Sequence, residues 1–302
     1  MQKMVAITWA RNEADILETF VRYHCKAVDR MVVVLHRCED ESHNILLKLQ
    51  KEGLPIDIRE DDSPIHRQSA ALTDLMHITI GAGDCDWILP LDADEFLVGV
   101  NIHKTVEQLP KDRITLLPWK TYVPTPSDDA QEMNILKRIV HRRSAEEPQF
   151  QKVLIPRFVA CKPGSHLPEG NHEVLLKKRD CSIAPIPSEV TDALWLAHFP
   201  VRSEHQIRQK ICNGWESHTL NPERKEGQAF QWKTLYERCN SRAPITAVEL
   251  QTMALHYAMP EGMVPTCPLE TVKDPVASPP IKLLYTGRSC ENSHKSRGTP
   301  VE

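Results

Sequence analysis

The sequence predicts an α/β fold: a mostly parallel central sheet flanked by helices, with a helical C-terminal region. Two observations carry this. Between Val5 and Leu91, apolar strand-like runs alternate four times with stretches that read as helices, the pattern that builds parallel sheets through crossover connections. The 302-residue chain is 41% hydrophobic and 26% charged, an ordinary globular balance and long enough to bury a sizeable core.

The elements follow in order. Val5–Trp9 is a short, β-branched apolar run, hence a strand. Asn12 is placed to cap a helix whose Ile16, Leu17, Phe20, Val21 and His24 share one face. Met31–Leu35 is a second strand, and Ser42 then caps a helix carrying Ile45, Leu46 and Leu49 that ends near Gly53. Ile56–Arg59 is a third, weaker strand, residues 66–80 are a helix, and Asp86–Leu91 is a fourth strand. Beyond Val98 the pattern loosens: a short helix at Val106–Leu109, a strand at Ile114–Trp119, and an irregular segment over 120–150. Strands at Lys152–Val159 and Ala193–His198 precede a helix capped by Ser203 and running to about His218. Two more helices are expected near 228–239 and 246–258, then a proline-rich tail.

Composition excludes several functions. Lys and Arg number 37 against 41 Asp and Glu, a net charge of −4, so there is no chain-wide basic field for nucleic acid. No apolar run approaches a membrane span, and the N-terminus lacks a signal-peptide core. Nine cysteines are evenly spread with no C-x-x-C pair. That pattern suits reduced thiols in a cytoplasmic protein rather than a disulfide framework or zinc site. Only 11 glycines occur, no Walker loop is present, and Gly81-Ala82-Gly83 lacks the context of a dinucleotide fingerprint.

The strongest chemical signal is Leu91-Asp92-Ala93-Asp94-Glu95-Phe96, three carboxylates directly after an apolar strand. Ligands of open parallel sheets bind at the carboxyl ends of strands. Asp92 and Asp94 can point the same way from an extended chain, and clustered acids favour a cation, here a hard divalent ion such as Mn²⁺ or Mg²⁺. A solvated acidic turn is the plainer alternative. Ala10-Arg11-Asn12-Glu13 lies at the end of the first strand, where Asn12 and Glu13 offer acceptors to a base or ribose, or serve as a helix cap alone. Asp40 and Asp62 lie at the next two strand ends, and Glu169, His172, Glu173, His198, Arg202 and Lys210 lie downstream. A lone histidine is more often a satisfied polar residue than a ligand.

These residues together resemble a family 2-type glycosyltransferase of the Rossmann-like GT-A fold. Ala10-Arg11-Asn12-Glu13, Gln68 and Asp86-Trp87-Ile88-Leu89-Pro90-Leu91-Asp92-Ala93-Asp94-Glu95-Phe96 carry the likeness. So does His198-Phe199-Pro200-Val201-Arg202-Ser203 with Lys210 and Gly214, similar to a bacterial subgroup that builds surface polysaccharide and lipopolysaccharide. The resemblance implies transfer of a sugar from a nucleotide-diphosphate donor to a saccharide or lipid-linked acceptor. It places Mn²⁺ or Mg²⁺ on Asp92 and Asp94, with His198 as a further ligand, and Ala10, Arg11, Asn12, Glu13, Asp40, Asp62, Gln68, Asp92, Arg202 and Lys210 around the donor. If the reaction inverts the anomeric centre, Glu173, Glu169 and His172 are candidates for the base that takes the acceptor proton. The second strand ends in His36, where many relatives carry a base-binding Asp.

The chain divides on this reading into a nucleotide-sugar half over 1–120, an acceptor-side half over 121–225, and C-terminal helices with a tail over 226–302. The alternatives are a nucleotidyltransferase acting on a sugar phosphate, which usually carries a glycine-rich basic loop after the first strand that is not visible here, and a sugar-binding scaffold without activity. Arg138, His141, Arg142 and Arg143 form a local basic cluster. It is either a solvated face or a contact for an anionic acceptor or the inner membrane surface.

Overall fold

In the computed structural model the residues described are 2–220, 230–260 and 262–287. The predicted alternation is present: β1 (Met4–Ala10), α1 (Leu17–His24), β2 (Arg30–His36), α2 (Ser42–Lys51), β3 (Ile56–Asp61), α3 (Gln68–Gly81) and β4 (Trp87–Pro90). β1, β2, β3 and β4 pair in parallel in the order β3-β2-β1-β4. Every β1 residue is buried. Met4, Ala6 and Ala10 enter the core formed with α1 and α2, while Val5, Ile7 and Trp9 enter the core formed with α3. Strand alternation thus feeds two apolar layers, one on each face of the sheet.

The other half of the sheet is mixed. β5 (Glu95–Gly99) and β6 (Ile114–Thr121) follow, with α4 (Ile102–Gln108) between them. The strand Gln151–Pro156 runs antiparallel to both β4 and β6, and Leu194–His198 runs parallel to β6 and antiparallel to β5. β5 was not foreseen, and the predicted strand at 152–159 stops at Pro156 before a helical turn, Arg157–Ala160.

Helix starts differ from expectation in an informative way. Asn12 does not cap α1. It takes a left-handed backbone, φ 55°, and its Oδ1 accepts from the Glu39 N–H at 2.8 Å. Ser42 is likewise no cap, its Oγ accepting from the Glu13 N–H. Ser203 does cap its helix, Glu204–Thr219, accepting from Gln206 N–H. Two further helices run Phe230–Asn240 and Ala247–Leu255, the second opened by a reciprocal Thr246/Glu249 capping box.

The described part of the tail lies along the body. Thr271–Lys273 pairs with His141–Arg143, and the N–H groups of Leu284, Tyr285 and Thr286 converge on the buried Glu18 carboxylate. Tail residues 288–302 lie outside the described residues. The eight described cysteines are all free thiols, and Cys290 is outside them. Among the described residues no helix is long and apolar enough to cross a membrane.

The basic cluster does not form a charged face. Arg143 is 3% exposed, pairs with Glu146, and donates to the carbonyls of Ala254 and Tyr257. Arg142 binds Asp274, and Arg138 reaches the Arg202 carbonyl. The segment 120–150 is thereby riveted to the C-terminal helices, and these arginines are spent inside the molecule.

Candidate functional site

The carboxyl ends of β1, β2 and β4 open onto a cavity of about 430 Å³, where a doubly wound sheet binds its ligands. The turn after β4 brings Asp92 and Asp94 to its floor. The β5 pairing then fixes what faces them. His198 stands opposite Glu95, and the Phe199 N–H donates to the Asp94 carbonyl at 2.8 Å. The antiparallel run of Gln151–Pro156 against β4 carries Lys152 to the same end. The helix Glu204–Thr219 contributes Lys210, Asn213, Gly214 and Ser217 from one face, at helical spacing. Gly214 packs closely against the next helix: a Cβ there would sit 3.1 Å from the Trp232 ring.

Each acid in the turn has a defined partner. Asp92 accepts from Gln68 Nε2 at 2.7 Å on Oδ1 and from Lys152 Nζ at 2.6 Å on Oδ2. Lys152 is almost wholly buried and also lies 3.4 Å from Glu95. Lys210 Nζ donates to Asp94 Oδ2, Arg202 Nη1 lies 3.8 Å from that oxygen, and His198 Nε2 lies 3.7 Å from Oδ1. Burial alone would raise the Asp94 pKa, but the charges of Lys210 foremost, and of Arg202, hold it well below the usual carboxylate range. Burial pushes Glu95 up to about 8 against the pull of Lys152. Burial also lowers His198 to about 3, so its ring, stacked on Trp119 at 4.4 Å, is neutral.

Arg202 ties the β1 turn to this floor. Fully buried, it donates to both Asp15 oxygens at 2.7 and 2.8 Å, to Glu13, and to the Phe199 carbonyl. Burial still raises Glu13 to about 7, with Arg202 opposing. The sign for stability follows: from about pH 4.5 to about pH 7 the folded state holds a Glu13 proton that the unfolded chain has lost, so stability falls as pH rises across that window. Glu95 acts in the same direction up to about 8. The lowered His24, His172 and His198 act the other way below about pH 6.5, so the Glu13 share is read by difference: the urea midpoint of Glu13→Gln should rise relative to the parent between pH 5 and pH 7. A difference that stays constant with pH would mean Glu13 stays ionised in the fold.

The predicted residues fall into two groups. Ala10, Arg11, Glu13, Gln68, Asp92, Asp94, Glu169, His172, His198 and Lys210 line the cavity. Asn12 and Asp40 do not: they border a separate groove, and Asp40 is occupied as acceptor for the Ala14 and Ser42 N–H groups. Arg202 sits behind the cavity as the staple described above. Glu173 is exposed and outside it. Asp62 is also exposed; strand alternation turns Asp61 inward instead, where Arg67 and Trp9 Nε1 bind it.

Sequence reasoning missed the aromatic lining. Trp9 stacks on His36 at 4.3 Å on one wall, while Trp119, Phe150 and His172 cluster on another. Trp9 and Trp119 each sit near the carboxyl end of a predicted strand, a position that could have flagged them. His172 Nδ1 donates to the Gln151 carbonyl at 2.7 Å, which leaves Nε2 as a lone pair. Burial, with Lys152 nearby, lowers His172 to about 4. Gly170, at φ 81°, makes room for that ring, since a Cβ would come within 2.7 Å of it.

The donor set does not suit a divalent ion as expected. Both Asp92 oxygens are engaged by Gln68 and Lys152, and Asp94 already meets two side-chain cations, Lys210 and Arg202. That leaves one neutralised carboxylate and one imidazole, where a hard ion wants anionic oxygen. Among the described residues no three His, Cys, Asp or Glu groups converge as a metal site.

No protein-family profile matches the chain, and no curated protein matches it in sequence. Among solved structures, residues 1–349 of S. aureus TarS in complex with UDP align with a TM-score of 0.41 at 11% identity, over 78% of this chain and 71% of that one. A putative glucose-1-phosphate thymidylyltransferase from Bacillus anthracis aligns with a TM-score of 0.32 at 14% identity, over 52% and 73%. Glucosyl-3-phosphoglycerate synthase from Mycobacterium tuberculosis, in complex with Mn²⁺, UDP and phosphoglyceric acid, aligns with a TM-score of 0.29 at 10% identity, over 39% and 43%. Likeness at this level leaves the chemistry to be argued from the cavity itself.

Proposed function

We propose that this chain is a glycosyltransferase that moves a sugar from a nucleoside-diphosphate donor to a saccharide or lipid-linked acceptor. The observation that carries the reading is the cavity floor. An acidic turn at the carboxyl edge of a parallel sheet is threaded with Lys152 and Lys210, beside Arg11, and faces an aromatic wall. Cations at such an edge suit phosphate oxygens, and flat rings suit a base or the apolar face of a sugar. The role in cell-surface glycan synthesis comes from the motif resemblance.

In the reaction an acceptor hydroxyl oxygen bonds to the anomeric carbon, and the bond from that carbon to the diphosphate oxygen breaks. Its electron pair leaves with the diphosphate, and the hydroxyl proton passes to a base. Glu169 is the best-placed base. Of the four carboxylates lining the cavity, Glu13, Asp92 and Asp94 are each bound to a Lys or Arg, whereas Glu169 meets His66 at 3.3 Å and the Ser69 N–H at 3.4 Å. His172 borders the acceptor side, but its lowered basicity makes it a hydrogen-bond acceptor first.

Thermal melting with UDP, GDP, ADP, CDP and dTDP tests the reading. One nucleotide should raise the melting temperature above the others, by the equivalent of about 2.7 kcal/mol at a hundredfold excess over its Kd. Indifference to all five would remove the donor assignment.

A further inference from the structure

Building on that donor assignment, we infer that the leaving nucleoside diphosphate is neutralised by side-chain cations, Lys210 foremost and Arg11 second, and not by a divalent metal ion. The positive charge that a metal would bring to Asp94 is already there as an ammonium. Lys210 uses one N–H on Asp94 and lies against Tyr257, its Nζ 5.5 Å from the ring centroid, which leaves at least one N–H for a ligand. Its side chain is 18% exposed, and that opening faces the cavity. Arg11, at the end of β1, lines the same cavity. Among the described residues it forms no ion pair, and its buried Nε has no hydrogen-bond partner. Lys152 adds charge from behind but is sealed by Asp92 and Glu95.

A divalent ion would have to share the Asp94 carboxylate with Lys210, while Arg202 lies 3.8 Å away. Like charges at such separations repel strongly in a buried setting. The arrangement instead favours an anion docking onto Lys210. When the glycosidic phosphate bond breaks, its electron pair stays on the diphosphate oxygen and adds one negative charge. Lys210 and Arg11 are fixed donors where that charge collects, a preorganised electrostatic role. Asp94 then serves to aim Lys210.

The experiment is nucleotide binding to the full chain by calorimetry, using the panel above, once in excess EDTA and once in Mn²⁺ or Mg²⁺. The best nucleotide should bind with the same Kd, within about twofold, in EDTA and with the metal ion. Lys210→Ala should weaken it about tenfold or more, the scale of losing a hydrogen bond between charged groups. Lys210→Arg should recover part of the loss, and Arg11→Ala should weaken binding without lowering the melting temperature of the free protein. Binding that vanishes in EDTA and returns with Mn²⁺ would overturn the inference while leaving the donor assignment standing. No binding of any nucleotide in any condition would overturn both. A Lys210→Ala protein that folds and binds as well as the parent would overturn the role of Lys210, and if that variant fails to fold, the EDTA comparison on the parent chain decides.

Discussion

Arg202→Ala is expected to lower stability by about 3–5 kcal/mol, read as a fall in the urea midpoint at unchanged slope. Arg202 is buried and is the common partner of Asp15, Glu13 and the Phe199 carbonyl, close to Asp94. Removing one member of a buried ionic group strands the rest, which costs more than the group contributes in net. Asp15 is 36% exposed and can regain water, so the loss belongs at the lower end of that range. Glu13 cannot rehydrate so easily and is driven further toward its protonated form. Coupling makes the test specific. In a Glu13→Gln, Asp15→Asn background the same Arg202→Ala change should cost less, by about 0.5–3 kcal/mol. Equal costs in both backgrounds would show that Arg202 stabilises the fold by packing alone. The consequence for the site is direct, because Arg202 joins the turn after β1 to the turn after β4, the two turns that carry Arg11 and Asp94.

The parallel half of the sheet was legible because its signals are local. Buried apolar runs, amphipathic helices and short connections all lie within stretches of a few tens of residues, and they place Asp92 and Asp94 at the carboxyl edge. The antiparallel half was not legible, because β5 pairs with Leu194–His198 and β4 with Gln151–Pro156, across long separations that no local pattern encodes. Those pairings deliver Lys152 and His198 to the acidic turn, and the following helix delivers Lys210. Read alone, a lysine in a strand or on a helix face is ordinary. Its meaning comes from the carboxylate it meets, so an acidic turn that reads as a metal site proves to be largely neutralised by the chain itself. Parity decided another case. Asp61 and Asp62 are equivalent as sequence, yet the strand buries one and exposes the other. The arginines at 138–143 misled for a related reason: their partners are carbonyls and carboxylates of the C-terminal region, visible only once that region packs.

The second large effect expected is on turnover. Glu169→Gln should reduce kcat by 10²–10⁴-fold, the usual contribution of a positioned general base, while nucleotide affinity stays within about twofold. The reasoning is one of elimination by pairing. A base must accept a proton from the acceptor hydroxyl as that oxygen attacks, so a carboxylate whose charge is already committed to a lysine or arginine is a poor choice. Asp92, Asp94 and Glu13 are so committed, and Glu173 is exposed and outside the cavity. Glu169 sits in the short turn Glu169–Asn171, beside the start of α3, with His66 at Oε2 and the Ser69 N–H at Oε1. Glutamine keeps its size and its ability to accept from the Ser69 N–H but cannot take up the proton. The donor KM should stay within about twofold while kcat falls, a split that a merely structural role would not produce. If the variant turns over at the parent rate, the base lies elsewhere, and His172→Gln is the next substitution to measure, because His172 Nε2 is then the remaining lone pair of the expected set that lines the cavity.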